Sequence, residues 1–544
     1  MLTPEYLDDL PGVIVELYTL LDISIAKAIA RRIARMGDVT ESSQHQIDVL
    51  AESGLLYDEI IALIAEQLPV AESVLRETIT SACVKTLEFD NRIYTAAGLK
   101  PLPFRQSKAM TRLLVAGLKK TNGVINNLTL TTANTTQTAY IQACDLAYMQ
   151  VSTGAMDYIT AIRQAVASAS EQGARVLYPS GHSDHLDVAV RRAVLTGVSQ
   201  TAGEISIINA HEAGWDLMEI TAHIGARPSH AKWQGKIVSL SGAPGYLSLK
   251  DIGYKTGEGF KGWNCRHDWY PFFEGISKQL YDEERLKEWR DDSTYYDNTQ
   301  RQRAMERDIR KTKRQLAATD EAIKATDNEK LKAGLKEDFE RCSVKLKSQE
   351  AKMKDFCKEK GFLVQSERVQ VQGFGRSQAQ KAVQANKSIA KQANMLYDIG
   401  GTEKNIRAYF RDLPLRRKLQ SEQTNISVLV GRQSKHFKGS NNYRNLHKNI
   451  VNSGHYGPSI VTISQDEIEQ LVKEYRGTGI LIRNSKGEWT RNEIIVNNNR
   501  IIGIDVDYDT GAETPTSVFT IRYADNGVHI VPHDMKMKGG KSTK

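Results

Sequence analysis

The period of the apolar positions changes along this chain, and the change divides it. From Val13 to Met36 and from Gln44 to Leu68 apolar residues recur at three- and four-residue spacings, which predicts two long helices. Pro69 is expected to end the second, because proline removes a helical hydrogen bond and crowds the preceding turn; another helix then runs from Ala71 to Phe89. Leu55, Ile60, Ile61, Ile64 and Leu68 form the expected core stripe. Residues 104 to 225 continue as Ala-rich helices, with breaks expected at Asn122-Gly123 and at Tyr178-Pro-Ser-Gly181. Val188, Val190, Val194, Val198 and Ile205 mark one helix from Asp187 to Ala210, where Arg191 and Arg192 are read as salt-bridging residues. Between His223 and His267 glycines and aromatics crowd together, the signature of a small, tight α+β knot. From Lys278 to Lys360 about half the residues are charged, with sparse apolar positions such as Leu316, Ile323 and Leu331; this predicts a solvated helical hairpin or coiled coil turning at Asp327-Asn328.

After a mixed segment with flexible points at Gly373-Phe-Gly375 and Gly400-Gly401 and a basic strip, Leu413 to Lys418, the pattern changes again. Ser464-Gln-Asp-Glu467 has the form of a capping box, and Ile468, Leu471, Val472 and Tyr475 follow as one stripe up to the stop at Gly477. Then come short β-branched runs, 480–482, 493–496, 501–506, 517–523 and 528–531, which predict an antiparallel meander. Asn526-Gly527 is a strong hairpin signal, and as the two-residue turn it sets Tyr523 opposite Ile530 and Arg522 opposite Val531. Phe519, Ile521, Tyr523, Val528 and Ile530 then share a core face, and Thr520, Arg522 and His529 share the other.

The length, 544 residues, suits several domains, and the net charge of +8 is compatible with work near nucleic acid without identifying it. The five cysteines are scattered and odd in number, which argues against a disulfide framework and for a reducing site of synthesis. The first ten residues lack a basic and then apolar leader, and no apolar run reaches the roughly 18 residues of a membrane span, so delivery to another cell is expected to need a vehicle.

The polar face of the last hairpin, joined by Lys435, His436 and Lys438, suits RNA transesterification without a metal. One imidazole takes the 2′-hydroxyl proton, a second acid protonates the departing 5′-oxygen, and Lys435 and Arg522 neutralise charge on the phosphate. Thr520 or Thr516 is a candidate donor to phosphate, and Asn442 and Tyr443 are candidates to position substrate. No Asp/Glu/His cluster here has metal-ligand spacing, so the nuclease is expected to need no cofactor. In the first half His223, His230, Cys265 and His267 are a set able to hold a structural zinc; their spacing matches no strong zinc pattern, and a hydrogen-bonded core is the reading preferred.

Two resemblances follow. Arg432-Gln-Ser-Lys-His436, Gly439-Ser-Asn-Asn-Tyr443, Tyr475-Arg-Gly-Thr-Gly479, Pro515-Thr516 and Asn526-Gly-Val-His-Ile-Val-Pro532 resemble the bacterial polymorphic toxin type 50 domain. That resemblance implies a barnase/EndoU/colicin/RelE-like RNase fold. Members of that family often carry His where this chain has Arg522, and Asn445 to Ser459 is a longer insertion. Val188 to Ala193, Ala226-Arg-Pro-Ser-His-Ala-Lys-Trp-Gln-Gly-Lys236 and Gly262-Trp-Asn-Cys-Arg-His267 resemble the phage minor capsid protein 2 family, relatives of Mu F-like head morphogenesis proteins. This implies a minor head component associated with the portal inside the capsid. The expected organisation is a mainly helical head-protein region at 1–275, a charged helical hairpin at 276–360, a linker or accessory module at 361–425, an RNase toxin-like domain at 426–535 with an antiparallel sheet, and a disordered tail at 536–544. The expected protein is a minor head protein that carries an RNase effector in the virion to the host cytoplasm, with portal and capsid proteins, RNA and an immunity protein as partners. The alternative is a structural protein whose C-terminal domain binds nucleic acid or head partners without cutting.

Overall fold

The computed structural model describes residues 1–36, 42–172, 174–398 and 400–533, so the tail expected at 536–544 lies outside the described residues. The chain forms two compact units, Met1–Asn386 and Lys387–Lys544.

In the first unit α1 (Pro4–Asp9), α2 (Gly12–Arg35), α3 (Ser42–Ala96), α4 (Lys108–Ser152) and α5 (Tyr158–Gln172) precede a small hairpin, β1 (Arg175–Leu177) and β2 (Ser183–His185), and α6 (Leu186–Glu212). The break expected at Pro69 does not occur: α3 runs through it. Leu56, Ile60 and Ile64 before the proline and Leu75 and Ile79 after it are buried in one core, and at about 1.5–3 kcal/mol for each large side chain that burial outweighs the roughly 3 kcal/mol penalty of an interior proline. The stripe passes through Leu56, leaving Leu55 exposed. Nor does Asn122-Gly123 break α4. Here α4 and α6 are pressed together through glycines: a Cβ on Gly117 would lie 2.4 Å from Thr201 Oγ1, and one on Gly197 2.2 Å from Thr121 Oγ1. The turn expected near Tyr178 to Gly181 is present between β1 and β2. Arg191 pairs with Asp8 (3.3 Å) and Arg192 with Asp184 (2.6 Å), as read.

The expected knot is a four-stranded sheet with α7 (Pro228–Ala231). Its strands β3 (Leu217–Ile220), β4 (Ile237–Ser239), β5 (Leu247–Ser248) and β6 (Trp269–Pro271) lie in the order β5-β4-β3-β6. Trp233, Phe260, Cys265 and Trp269 fill it. After α8 (Glu283–Asp291), α9 (Thr294–Ala325) and α10 (Glu329–Lys360) form the expected hairpin, with Asn328 Oδ1 accepting from Lys330 N and Leu331 N. The hairpin is not a solvated arm. Helix α9 packs on α2, burying Ala317, Ala318 and Ala322, while Leu316 packs with Phe339 and Leu346 of α10. Arg314 forms a buried ion pair with Asp22, whose other oxygen accepts from Ala174 N (2.6 Å).

The division between the units falls within α11 (Arg376–Leu396), and in the second unit α12 (Thr402–Gln420) packs Leu415 and Leu419 into the core of the sheet region. Arg416 of α12 donates to Gly477 O (3.0 Å), and Asp412 pairs with Arg483 (2.7 Å). Then come α13 (Val430–Gln433), a 3-10 turn at Ser434–His436, α14 (Asn441–Asn452), β7 (Ile460–Val461) and α15 (Gln465–Tyr475). The capping box of Ser464 and Glu467 forms as expected, and Ile468, Leu471 and Val472 are buried.

The strands are β8 (Ile480–Arg483), β9 (Trp489–Ile495), β10 (Gly503–Val506), β11 (Glu513–Thr516), β12 (Phe519–Ala524) and β13 (Gly527–Pro532). They do not form the single meander expected. One sheet has the order β13-β12-β9-β8, and β10 leaves it to pair with β11 and β7 in a second. Phe519, Thr520 and Ile521 instead reach back to Ile495, Ile494 and Glu493. The expected register of the last hairpin is also corrected: Ala524 pairs with Gly527, Tyr523 with Val528 and Arg522 with His529, so the turn is Asp525-Asn526. Gly527 is needed for close approach, since a Cβ there would sit 2.2 Å from Ser427 O. Because the pairing moves by two positions, the faces are unchanged. Phe519, Ile521, Val528 and Ile530 are fully buried on one face, as expected.

Candidate functional site

Three segments of the second unit build a basic, imidazole-bearing surface. The first is α13 with its 3-10 turn. Buried Gln433 donates from Nε2 to Ile530 O (3.2 Å) and accepts on Oε1 from Ile530 N (2.8 Å). Its amide thereby completes part of the edge of β13 as another strand would, and fixes the backbone carrying Lys435 and His436. Gln433→Ala leaves these backbone groups without a partner. It is expected to lower stability by about 1–3 kcal/mol, measured by urea unfolding.

The second segment is the β12–β13 hairpin, which sets Arg522 directly opposite His529 with half-buried Thr520 on the same face. The third is the loop before β7, where Ser459 O accepts from His436 Nδ1 (2.9 Å). Since a carbonyl only accepts, His436 carries its proton on Nδ1 and leaves the Nε2 lone pair for other work. The rings of His436 and His529 are nearly parallel, with centroids 6.4 Å apart. Among the described residues His529 Nδ1 is buried without a hydrogen-bond partner.

Burial lowers both imidazoles, and the neighbouring cations Arg522 and Lys435 lower them further. His529 is pushed down to about 4, with Arg432 also contributing. Both rings are therefore neutral at pH 7, one ready to accept a proton. An anion bound among these cations raises both again and lets one serve as the acid. The same shift predicts a pH dependence of stability. Between 6.5 and about 4 the unfolded His529 binds a proton that the folded one does not, so stability is full above that window and falls as pH drops through it. The expected loss from this residue is about 3 kcal/mol, read as the change in urea midpoint between pH 7 and pH 4.

Lys435, His436, Arg522 and His529 are thus brought together. Lys438 is exposed on the next loop. Asn442 donates to Ser434 Oγ (2.7 Å) and Gly431 O (3.3 Å), holding that loop closed, and the Tyr443 ring lies 5.9 Å from that of His447. The Thr516 hydroxyl is engaged locally, donating to His533 O (2.9 Å) and accepting from Val518 N (3.0 Å). Three residues escaped the sequence reading. Arg432 was visible in the same basic motif, whereas Gln433 and Glu493 act through backbone contacts that no local pattern reveals. Glu493 is fully buried, its pKa pushed up by burial, and accepts from Gly477 N (2.9 Å), Gly479 N (2.6 Å) and Tyr523 Oη (2.6 Å). It anchors the Tyr475-Arg-Gly-Thr-Gly479 loop to the sheet.

In the first unit the four residues considered for zinc also converge. Ligand atoms of His230, Cys265 and His267 lie within 4.8 Å of one another, all three residues buried, and His223 stacks on His267 at 4.5 Å. Among the described residues no helix is long and apolar enough to cross a membrane.

The architecture is a mainly helical first unit followed by an α+β unit that carries the basic site. Residues 2–358 match the family Phage minor capsid protein 2, and the chain belongs to that family. The match extends through the α9–α10 hairpin. Residues 428–532 match the family Bacterial toxin 50, which spans the basic site. The chain is similar to a structural protein of Lactococcus phage LL-H, with 25% identity over 342 residues, covering 59% of this chain and 87% of that protein. No solved structure matches.

Proposed function

We propose that this minor capsid protein is a virion component that associates with the portal and carries a metal-independent RNase effector into the host cytoplasm. The observation that carries the enzymatic reading is the cross-strand pair Arg522–His529 facing His436 on a surface with Lys435 and Arg432. Two neutral imidazoles of different surroundings can divide the roles of base and acid. His436, with Nδ1–H held by Ser459 O, presents Nε2 to a 2′-hydroxyl; His529, once protonated beside bound phosphate, delivers its proton to the departing 5′-oxygen. Arg522 and Lys435 stabilise the charge that gathers on phosphorus oxygens in the transition state. The membership of the first unit in a capsid family supports carriage by the particle.

The test is expression of the chain in bacteria, wild type beside His529→Ala, with growth and total RNA followed with and without EDTA in the lysate. Growth arrest with EDTA-resistant cleavage that the variant lacks is expected. Intact RNA and unimpaired growth would instead favour a domain that binds nucleic acid or head partners without cutting, which the exposed cations also suit.

A further inference from the structure

We propose that His230, Cys265 and His267 hold a zinc ion that staples the knot of the first unit. The tautomers are set by partners that point the right nitrogens inward. His230 Nε2 faces Glu258 O (2.7 Å), an acceptor, so it carries the proton and Nδ1 keeps a lone pair. Gln234 Oε1 accepts from His223 N (3.1 Å), which fixes the orientation of that amide; His267 Nε2, 3.1 Å from the same oxygen, is therefore a donor. This leaves the lone pair of His267 Nδ1 directed at Cys265 Sγ, 3.7 Å away. In a tetrahedral zinc site, bond lengths near 2.3 Å to sulfur and 2.0–2.1 Å to nitrogen place S and N roughly 3.6 Å apart. Imidazole N–H groups donating to carbonyl and amide oxygens are the usual outer shell of zinc histidines. His223 shows the same arrangement: Nδ1 faces Ile224 O (3.0 Å), and Nε2 is buried without a partner. That nitrogen lies outside the group of ligand atoms within 4.8 Å of one another, so the fourth position falls to water.

The backbone around the cluster gives the ion a purpose. Lys255, Lys261 and Asn264, none of them glycine, adopt left-handed conformations in the loop that delivers Cys265. Such conformations are unfavourable for residues with a Cβ and persist only where surrounding interactions over-determine them. On binding, the Cys265 thiol loses its proton to solvent and the thiolate sulfur donates a pair to zinc; the imidazoles bind as neutral ligands.

The test is metal analysis of the full-length chain, produced without a histidine tag in zinc-replete cells. About one zinc per chain is expected, with loss on Cys265→Ala and on His230→Gln but retention in His436→Gln. Replacement by cobalt should give the ligand-field bands of a tetrahedral site with a sulfur-to-metal charge-transfer band. Wild-type chain with less than about a tenth of a zinc, or Cys265→Ala with full zinc, would overturn the assignment. Because the wild-type measurement stands alone, a variant that fails to fold does not rescue the idea.

Discussion

Replacing His529 with alanine is expected to reduce RNA cleavage by about 10²- to 10⁴-fold while leaving the second unit folded. The loss follows from the proposed mechanism, in which His529 is one of two proton-transfer groups. Survival of the fold follows from the place of His529: it sits on the polar face of the hairpin, opposite Arg522, while the core face is made by Ile521, Tyr523, Val528 and Ile530. Its buried Nδ1 lacks a partner, so truncation removes an unfavourable group together with some packing, and the net change should stay within about 1 kcal/mol. The variant should also lose the roughly 3 kcal/mol of stability change between pH 7 and pH 4 assigned to His529. Cleavage rate on a short RNA, together with urea midpoints at both pH values, checks all three. Wild-type cleavage by a folded variant would remove His529 from the mechanism, and unchanged pH dependence would remove the claim that its burial depresses its protonation.

The second large effect is expected at Arg314. Arg314→Met should destabilise the first unit by about 3–5 kcal/mol, because Asp22 stays buried beneath α9 with the amide of Ala174 as its remaining donor. Asp22→Leu combined with Arg314→Met should recover most of that loss, since two apolar side chains of similar bulk leave no uncompensated charge. Calorimetry of the wild type and these two variants is the measurement. A loss below about 1 kcal/mol for the single variant would mean that α9 is not seated on α2 as the structure has it.

That ion pair also shows where local pattern stops being informative. Alternating charges from Lys278 to Lys360 correctly identify a helical hairpin turning at Asn328, yet they suggest a solvated arm. Whether Arg314 meets water or Asp22 depends on a residue almost three hundred positions away. Pro69 makes the same point: its local preference for a break is real, but Leu56, Ile60, Leu75 and Ile79 lie in one core on either side of it, and their combined burial decides.

At the candidate site the alternation of residues 519 to 530 determined which side chains face the core and which face out, because a strand's period of two survives a register change of two. The capping box at Ser464 was likewise legible from residue type and spacing, and residue type made His436, Arg522 and His529 candidates. Tertiary structure alone decided that the turn falls on Asp525-Asn526, since Gly527 is taken by the approach of Ser427, and hence that Arg522 faces His529. It alone split the strands into two sheets, turned Gln433 into an edge partner of Ile530, and gathered His230 and His267 around Cys265. Periodicity records how a segment meets its own neighbours, while pairing across distant segments is set by which backbone edges and buried groups are left to satisfy one another.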